Sequence, residues 1–305
     1  MMDNSGNHDS PTIGRAQYGI FYKFLRLFSD IYQGEALTAF LLSLNTFLLF
    51  LAYYIIKPVR DALMLGSHTP EFKNYLNAVG AVALIFVVKL FAVIAAKLPR
   101  HKLITWITLF FISNLCLFYG LNRVGVGPGL MGIIFFIWAG IFNLIIVAQF
   151  WGFANDLYTE QQGKRLFPII AFGATFGGFM GSRVTQWLTE PLGQFALMLV
   201  TAGFLVLCIA ITWIVHVRET KLATSEGKTI QEKKPSIEAE KAEKPLEKGG
   251  AFRLVFKNRY LLYIALFVLL LNFINTNGVY ILDTVFDQAA AEAVETGTAG
   301  GMDKR

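Results

Sequence analysis

Apolar residues fall in seven long runs separated by short polar turns, at 37–56, 75–96, 103–121, 130–151, 166–188, 194–217 and 260–282. About 20 apolar residues rising ~1.5 Å each cross a hydrocarbon core of roughly 30 Å, so each run predicts a membrane-spanning helix. The pattern is that of an all-α polytopic membrane protein, a bundle of about seven transmembrane helices. It divides the chain into an arm at 1–36, a six-helix unit at 37–217, a linker at 218–258, a seventh helix at 259–283 and a tail at 284–305. In the arm, Phe21, Phe24, Leu25 and Phe28 share a helical face with Lys23 and Arg26 off it. This fits a short helix in the membrane interface, or an extension of the first span.

The polar positions inside the runs carry the candidate chemistry. Late in the first run, Tyr53, Lys57, Arg60 and Met64 fall on one face, with Asp61 four residues after Lys57. Pro58 interrupts that stretch as a kink, because the apolar run resumes after Asp61. Lys57 and Arg60 either line a cavity or snorkel to the interface. The fourth run ends at Asn155 and Asp156, with Gln149, Gly152 and Asp156 on one face; Lys164, Arg165 and Pro168 then open the fifth. Gly173, Gly177 and Gly181 recur every fourth residue in that run, a bare strip that admits a neighbouring helix closely. The seventh run carries Asn272, Asn275 and Asp283 as a polar stripe, costly in lipid unless it faces protein or water. Lys89 and Arg183 lie inside runs; snorkelling is the expected reading of both, with a buried partner as the alternative for Lys89. The third run is unremarkable and is expected to face lipid. Stripes on spans one, four and seven predict one shared wet crevice.

Composition agrees: the chain is 55% hydrophobic and 16% charged, with a mean hydropathy of +0.52, which excludes a soluble globular domain. The net charge of +6 needs no nucleic-acid partner, because nineteen Lys and Arg fall on one side of the predicted membrane and six on the other. That asymmetry places the N-terminus in the cytoplasm and, after seven spans, the C-terminus outside. The 219–250 segment is rich in Lys and Glu and reads as a solvated linker. Cys116 and Cys208 fall within spans and the four His are scattered, so no disulfide framework, metal site or cofactor is indicated. There is no phosphate-binding G-x-x-x-x-G-K-[ST] loop.

Two three-helix units, a long link and the start of another unit match transporters built from three-helix repeats in two six-helix halves. The strings YYIIKPVRDALML and FWGFANDLYTEQQGKRLFPIIAFGATFGG resemble the ATP/ADP translocase family over roughly residues 30–290. The resemblance implies a twelve-helix carrier of the major-facilitator type that exchanges ATP for ADP, with phosphate as a further solute, in the inner membrane of a bacterium. It places the family's basic residue of the first helix on Arg60 followed by Asp61, its amide and acidic corner on Asn155 and Asp156, and its basic pair on Lys164 and Arg165. It departs from the family in Arg at 60 where Lys is usual, in Pro58, and in Phe167 before Pro168. It implies five spans beyond this sequence, supplied by a missing C-terminal half or by a second chain. A carrier of a different anionic solute and a non-transporting scaffold that presents its linker stay open. A membrane enzyme lacks any paired carboxylates, His cluster or nucleophile constellation at either interface.

Overall fold

The computed structural model describes residues 35–225 and 256–295. The expected arm helix at 15–29, most of the linker and the end of the tail lie outside the described residues. Seven long helices make up the described chain: α1 Glu35–Leu65, α2 Pro70–Lys97, α3 Arg100–Arg123, α4 Pro128–Leu157, α5 Glu160–Leu192, α6 Ala196–Ser225 and α7 Arg259–Glu295. We call the end where α1 starts basal and the end where it finishes apical. Several boundaries move from the sequence reading, and α1 runs on from residue 56 to Leu65. Helix α6 continues past Val217 to Ser225, and α7 continues past Asp283 to Glu295, because polar Glu- and Ala-rich sequence beyond a membrane face still favours helix.

Six of the seven are long and apolar enough to cross a membrane. The protein is an all-α, multi-pass integral membrane protein. The exception is α5, where seven spans were expected. Its 33 residues suffice in length, but its glycines and its Lys, Arg, Gln and Thr residues dilute the apolar surface.

Helix α1 is the hub, packing on α4, α5 and α6. Its contact with α5 follows the glycine strip. A Cβ on Gly173 would lie 2.3 Å from Ser43 O, one on Gly177 2.3 Å from Phe47 O, and one on Gly181 2.8 Å from Leu51 O. Four-residue steps on both helices keep the same register, so the two backbones run side by side in parallel. Helix α1 continues unbroken through Pro58. Proline has no N–H to offer the Tyr54 carbonyl one turn back, and the Thr185 hydroxyl of α5 reaches that oxygen at 3.4 Å. Such side-chain rescue is how membrane helices tolerate proline.

Aromatic packing joins α3 to α4. Phe118 meets Phe135 edge-on at 5.0 Å, and Phe111 meets Phe142 at 5.2 Å, geometries that suit the ring quadrupoles. Helix α3 therefore carries part of the core, with Leu103, Phe111 and Leu115 almost fully enclosed, and does not simply face lipid as its plain sequence suggested. The lipid-like exposure belongs to α2 and α7, whose apolar windows have no buried residue.

Candidate functional site

At the apical end four charges meet. Arg60 donates from Nε and Nη2 to Asp61 Oδ1 at 3.0 and 2.8 Å. Lys73 Nζ lies 3.2 Å from Asp61 Oδ1 and 2.8 Å from Asp283 Oδ2. The Lys73 side chain is only 3% exposed, and the Arg60 guanidinium stacks 4.8 Å from the Phe136 ring centre. Two cations and two carboxylates thus balance in a shielded site shared by α1, α2, α4 and α7. Asp61 pairs with Arg60 and Lys73, not with Lys57 four residues earlier. The Lys57 side chain instead turns toward the start of α1, with Nζ 5.7 Å from the Tyr54 ring centre, the usual lean of helical side chains.

Sequence reasoning missed Lys73 and took it for a loop cation. A signal was present. The Thr69–Pro70 pair caps α2, with the Thr69 hydroxyl accepting from Phe72 N, so Lys73 lies inside the first turn of a helix.

At the basal end the helix caps and charges converge on α1. Thr159 and Gln162 form a reciprocal capping box that starts α5. Gln162 also donates to Glu35 Oε1 at 2.8 Å, and Arg165 lies 3.3 Å from the same carboxylate. Thr38 donates to Glu219 at 2.7 Å and accepts from Arg218. Burial, with Glu219 and Glu35 close by, pushes the Tyr158 phenol well above its ordinary pKa.

Beside this cluster an open groove of about 560 Å³ runs between the end of α4 and the start of α5. Trp151, Tyr158 and Phe167 form its aromatic wall, with Phe167 edge-on to Trp151 at 5.6 Å. Asn155 and Lys164 supply its polar groups. Lys164 is exposed and paired with Glu160 of the preceding turn at 2.5 Å.

The polar stripes expected to share one crevice do not. On α4 the face holding Gln149, Gly152 and Asp156 is turned onto α3. Gln149 donates to Thr108 at 3.2 Å, Gly152 lies against the Arg100 guanidinium, and Asp156 accepts from Arg100 Nε at 2.8 Å. On α7, Asn272 and Asn275 are exposed, and Asn272 donates back to Val268 O at 2.8 Å. Only Asp283 of that stripe reaches the six-helix unit, through Lys73. The structure therefore brings Arg60, Asp61 and Asp283 together at one end and Asn155, Lys164 and Arg165 near one another at the other. The reason is that helix periodicity places residues on a common face but does not choose the neighbour that face meets.

Two polar pairs missed by the sequence reading tie the bundle at mid-depth: Asn45 with Thr212 at 2.9 Å, and Gln149 with Thr108. Both flank a cavity of about 10 Å³.

The Major Facilitator Superfamily profile matches residues 42–299, nearly the whole described chain, and the chain belongs to that superfamily. No curated protein and no solved structure matches it. With its apolar helices, this membership makes the protein a secondary transporter, one that moves a small-molecule solute across a lipid membrane.

Proposed function

We propose that this transporter exchanges nucleotides, ATP for ADP, by alternating access, with phosphate as a further anionic solute. The observation that carries the reading is the α4–α5 groove, where an aromatic wall of Trp151, Tyr158 and Phe167 stands beside Asn155 and Lys164. A nucleobase stacks on such rings, an amide can hydrogen-bond its edge, and a cation can take a phosphate oxygen. The groove lies in the stretch that carries the translocase resemblance. The Glu160 partner of Lys164 is solvent-exposed; such pairs hold weakly, so a triphosphate can displace it.

In this reading the basal end is cytoplasmic and the membrane is a bacterial inner membrane. Arg165 shapes the inner mouth and Lys57 acts on the solute toward the outer one. Arg60, Asp61 and Asp156, each held in an ion pair, brace the helices around that path. Asn272 and Asn275, exposed on α7, face the part of the pathway completed by further helices, from a longer chain or a second copy. Energy comes from opposing solute gradients. A different anionic organic solute is the second reading, favoured by the pairing of Arg60, Lys73 and Arg165 with carboxylates, which leaves fewer cations for a triphosphate.

The test is counterflow in proteoliposomes. Uptake of labelled ATP should rise several-fold when the lumen is loaded with ADP. Uptake that ignores luminal ADP, or is absent for nucleotides but present for another anion, would overturn the exchange reading.

A further inference from the structure

We propose that the anionic part of the solute binds in a second groove, on the α1–α5 seam, between Lys57 and Arg183, with Arg183 as a direct substrate contact. The proposal deepens the reading of the chain as an anion carrier and rests on it. The groove has a volume of about 380 Å³, and its lining includes Tyr54, Thr175, Gly178, Phe179 and Ser182.

The first support is a contrast in charge balance. Arg60, Lys73, Arg100, Lys164, Arg165 and Arg218 each sit within ion-pair distance of a carboxylate. Lys57 and Arg183 form no ion pair among the described residues, and neither do Lys89, Lys102, Arg123 and Lys221, but none of those four stands over a ring of this groove. Lys57 and Arg183 each do: Lys57 Nζ is 5.7 Å from the Tyr54 centre, and the Arg183 guanidinium is 5.8 Å from that of Phe179. Arg183 otherwise donates only to Gln186, at 3.4 Å. Lys57 is half-buried and Arg183 exposed on the helix surface; within a membrane span a cation without a counter-charge is costly, and ring contacts recover only part of that cost. An incoming anion supplies the rest.

The second support is depth and direction. At ~1.5 Å per residue, Lys57 lies about 12 Å from the apical end of α1, and Arg183 is comparably far from the end of α5. Snorkelling would carry both heads toward that end. Their ring partners, Tyr54 and Phe179, lie one turn the other way, deeper in the bundle. Both show the usual lean of helical side chains, and neither head is carried to that end.

The third support is the surface of α5, the one long helix not apolar enough for lipid. Its exposed face carries Thr175, Ser182, Arg183 and Gln186, beside Phe172, Phe176 and Phe179. The Thr175 and Ser182 hydroxyls donate to the carbonyls of Ala171 and Gly178, each at 3.2 Å, so their oxygens remain as acceptors toward the groove. Cations for phosphate or carboxylate oxygens, acceptors for hydroxyl or amino groups and rings for stacking fit an organic anion with an unsaturated ring. A purely apolar or cationic solute has no match there.

The experiment uses the full chain in proteoliposomes with Cys116→Ser as background, since Cys116 is exposed and Cys208 buried. Ser182→Cys is added, and its labelling by an anionic methanethiosulfonate (the ethylsulfonate) is compared with that by a cationic one (the trimethylammonium), each normalised to a free thiol. The expected result is a preference for the anionic reagent of about tenfold or more, the scale of charge focusing in a cleft. Lys57→Gln and Arg183→Gln should each erode it, while Arg183→Lys and the control Lys89→Gln should keep it. Silence toward both reagents, no charge preference, or a preference indifferent to Lys57→Gln and Arg183→Gln would overturn the proposal. Protection by ATP or ADP would support both the groove and nucleotide exchange. A charge preference protected by citrate or inorganic phosphate but not by nucleotides would keep the groove and sink the nucleotide reading.

Discussion

Lys57 and Arg60 are three residues apart on α1, yet their charges are handled in opposite ways. Arg60 belongs to a neutral quartet with Asp61, Lys73 and Asp283, half-closed from solvent and packed on Phe136. Lys57 stands over Tyr54, a ring of the α1–α5 groove, as Arg183 stands over Phe179, and neither pairs with a carboxylate among the described residues. The apical quartet is self-sufficient, so its charges hold elements together. In the proposed site these two cations flank the groove, and a solute neutralises them. The comparison sets cations cancelled within the protein against cations that the proposed site leaves for a ligand, although hydropathy treats them alike.

The largest effect should come from unbalancing the quartet. Lys73→Gln leaves Asp61 and Asp283 facing each other in a shielded place, and breaking such a pair costs about 3–5 kcal/mol. Thermal unfolding in detergent should fall sharply, and adding Asp283→Asn should recover part of the loss. If Lys73→Gln melts like the wild type, the quartet does not hold α7 to α2.

The next largest tests the scaffold that both regions share. Gly177→Ala places a methyl 2.3 Å from Phe47 O, and backbone cannot yield as a side-chain tip does. A loss of about 1–3 kcal/mol is expected, with Gly80→Ala, which meets nothing within 4 Å, as the silent control.

Lys57→Gln should reverse the pattern of Lys73→Gln. Its stability should change by under ~1 kcal/mol, the worth of an exposed ring contact, while solute uptake drops at least several-fold. A variant that transports normally but unfolds early would move Lys57 into the structural group.

The smallest effect is expected at the basal groove. Lys164→Gln removes an exposed pair, so melting should stay unchanged while the KM for the transported anion rises. Unchanged KM would take Lys164 out of the pathway.

Some of this was legible in the residues alone. The apolar runs located every long helix, because a membrane leaves the backbone few ways to satisfy its own hydrogen bonds. The strip of Gly173, Gly177 and Gly181 announced a close helix contact, since only glycine at that period bares a continuous backbone face. Other features were misread for a common reason. Gln149 and Asp156 share a face of α4, but that face meets Thr108 and Arg100 of α3 rather than a water-filled path. Lys73 looked like a loop charge because its partner Asp283 is 210 residues away.

The sequence by itself determined a polytopic helical membrane protein, the order of its helices and the register available to α5, because hydropathy and small-residue periodicity act along a single chain segment. Only the tertiary structure decided which charges are cancelled and which are left over. Ion pairing depends on distances of a few ångströms between helices far apart in sequence, and in a low-dielectric bundle those distances decide whether a cation is part of the frame or part of the site.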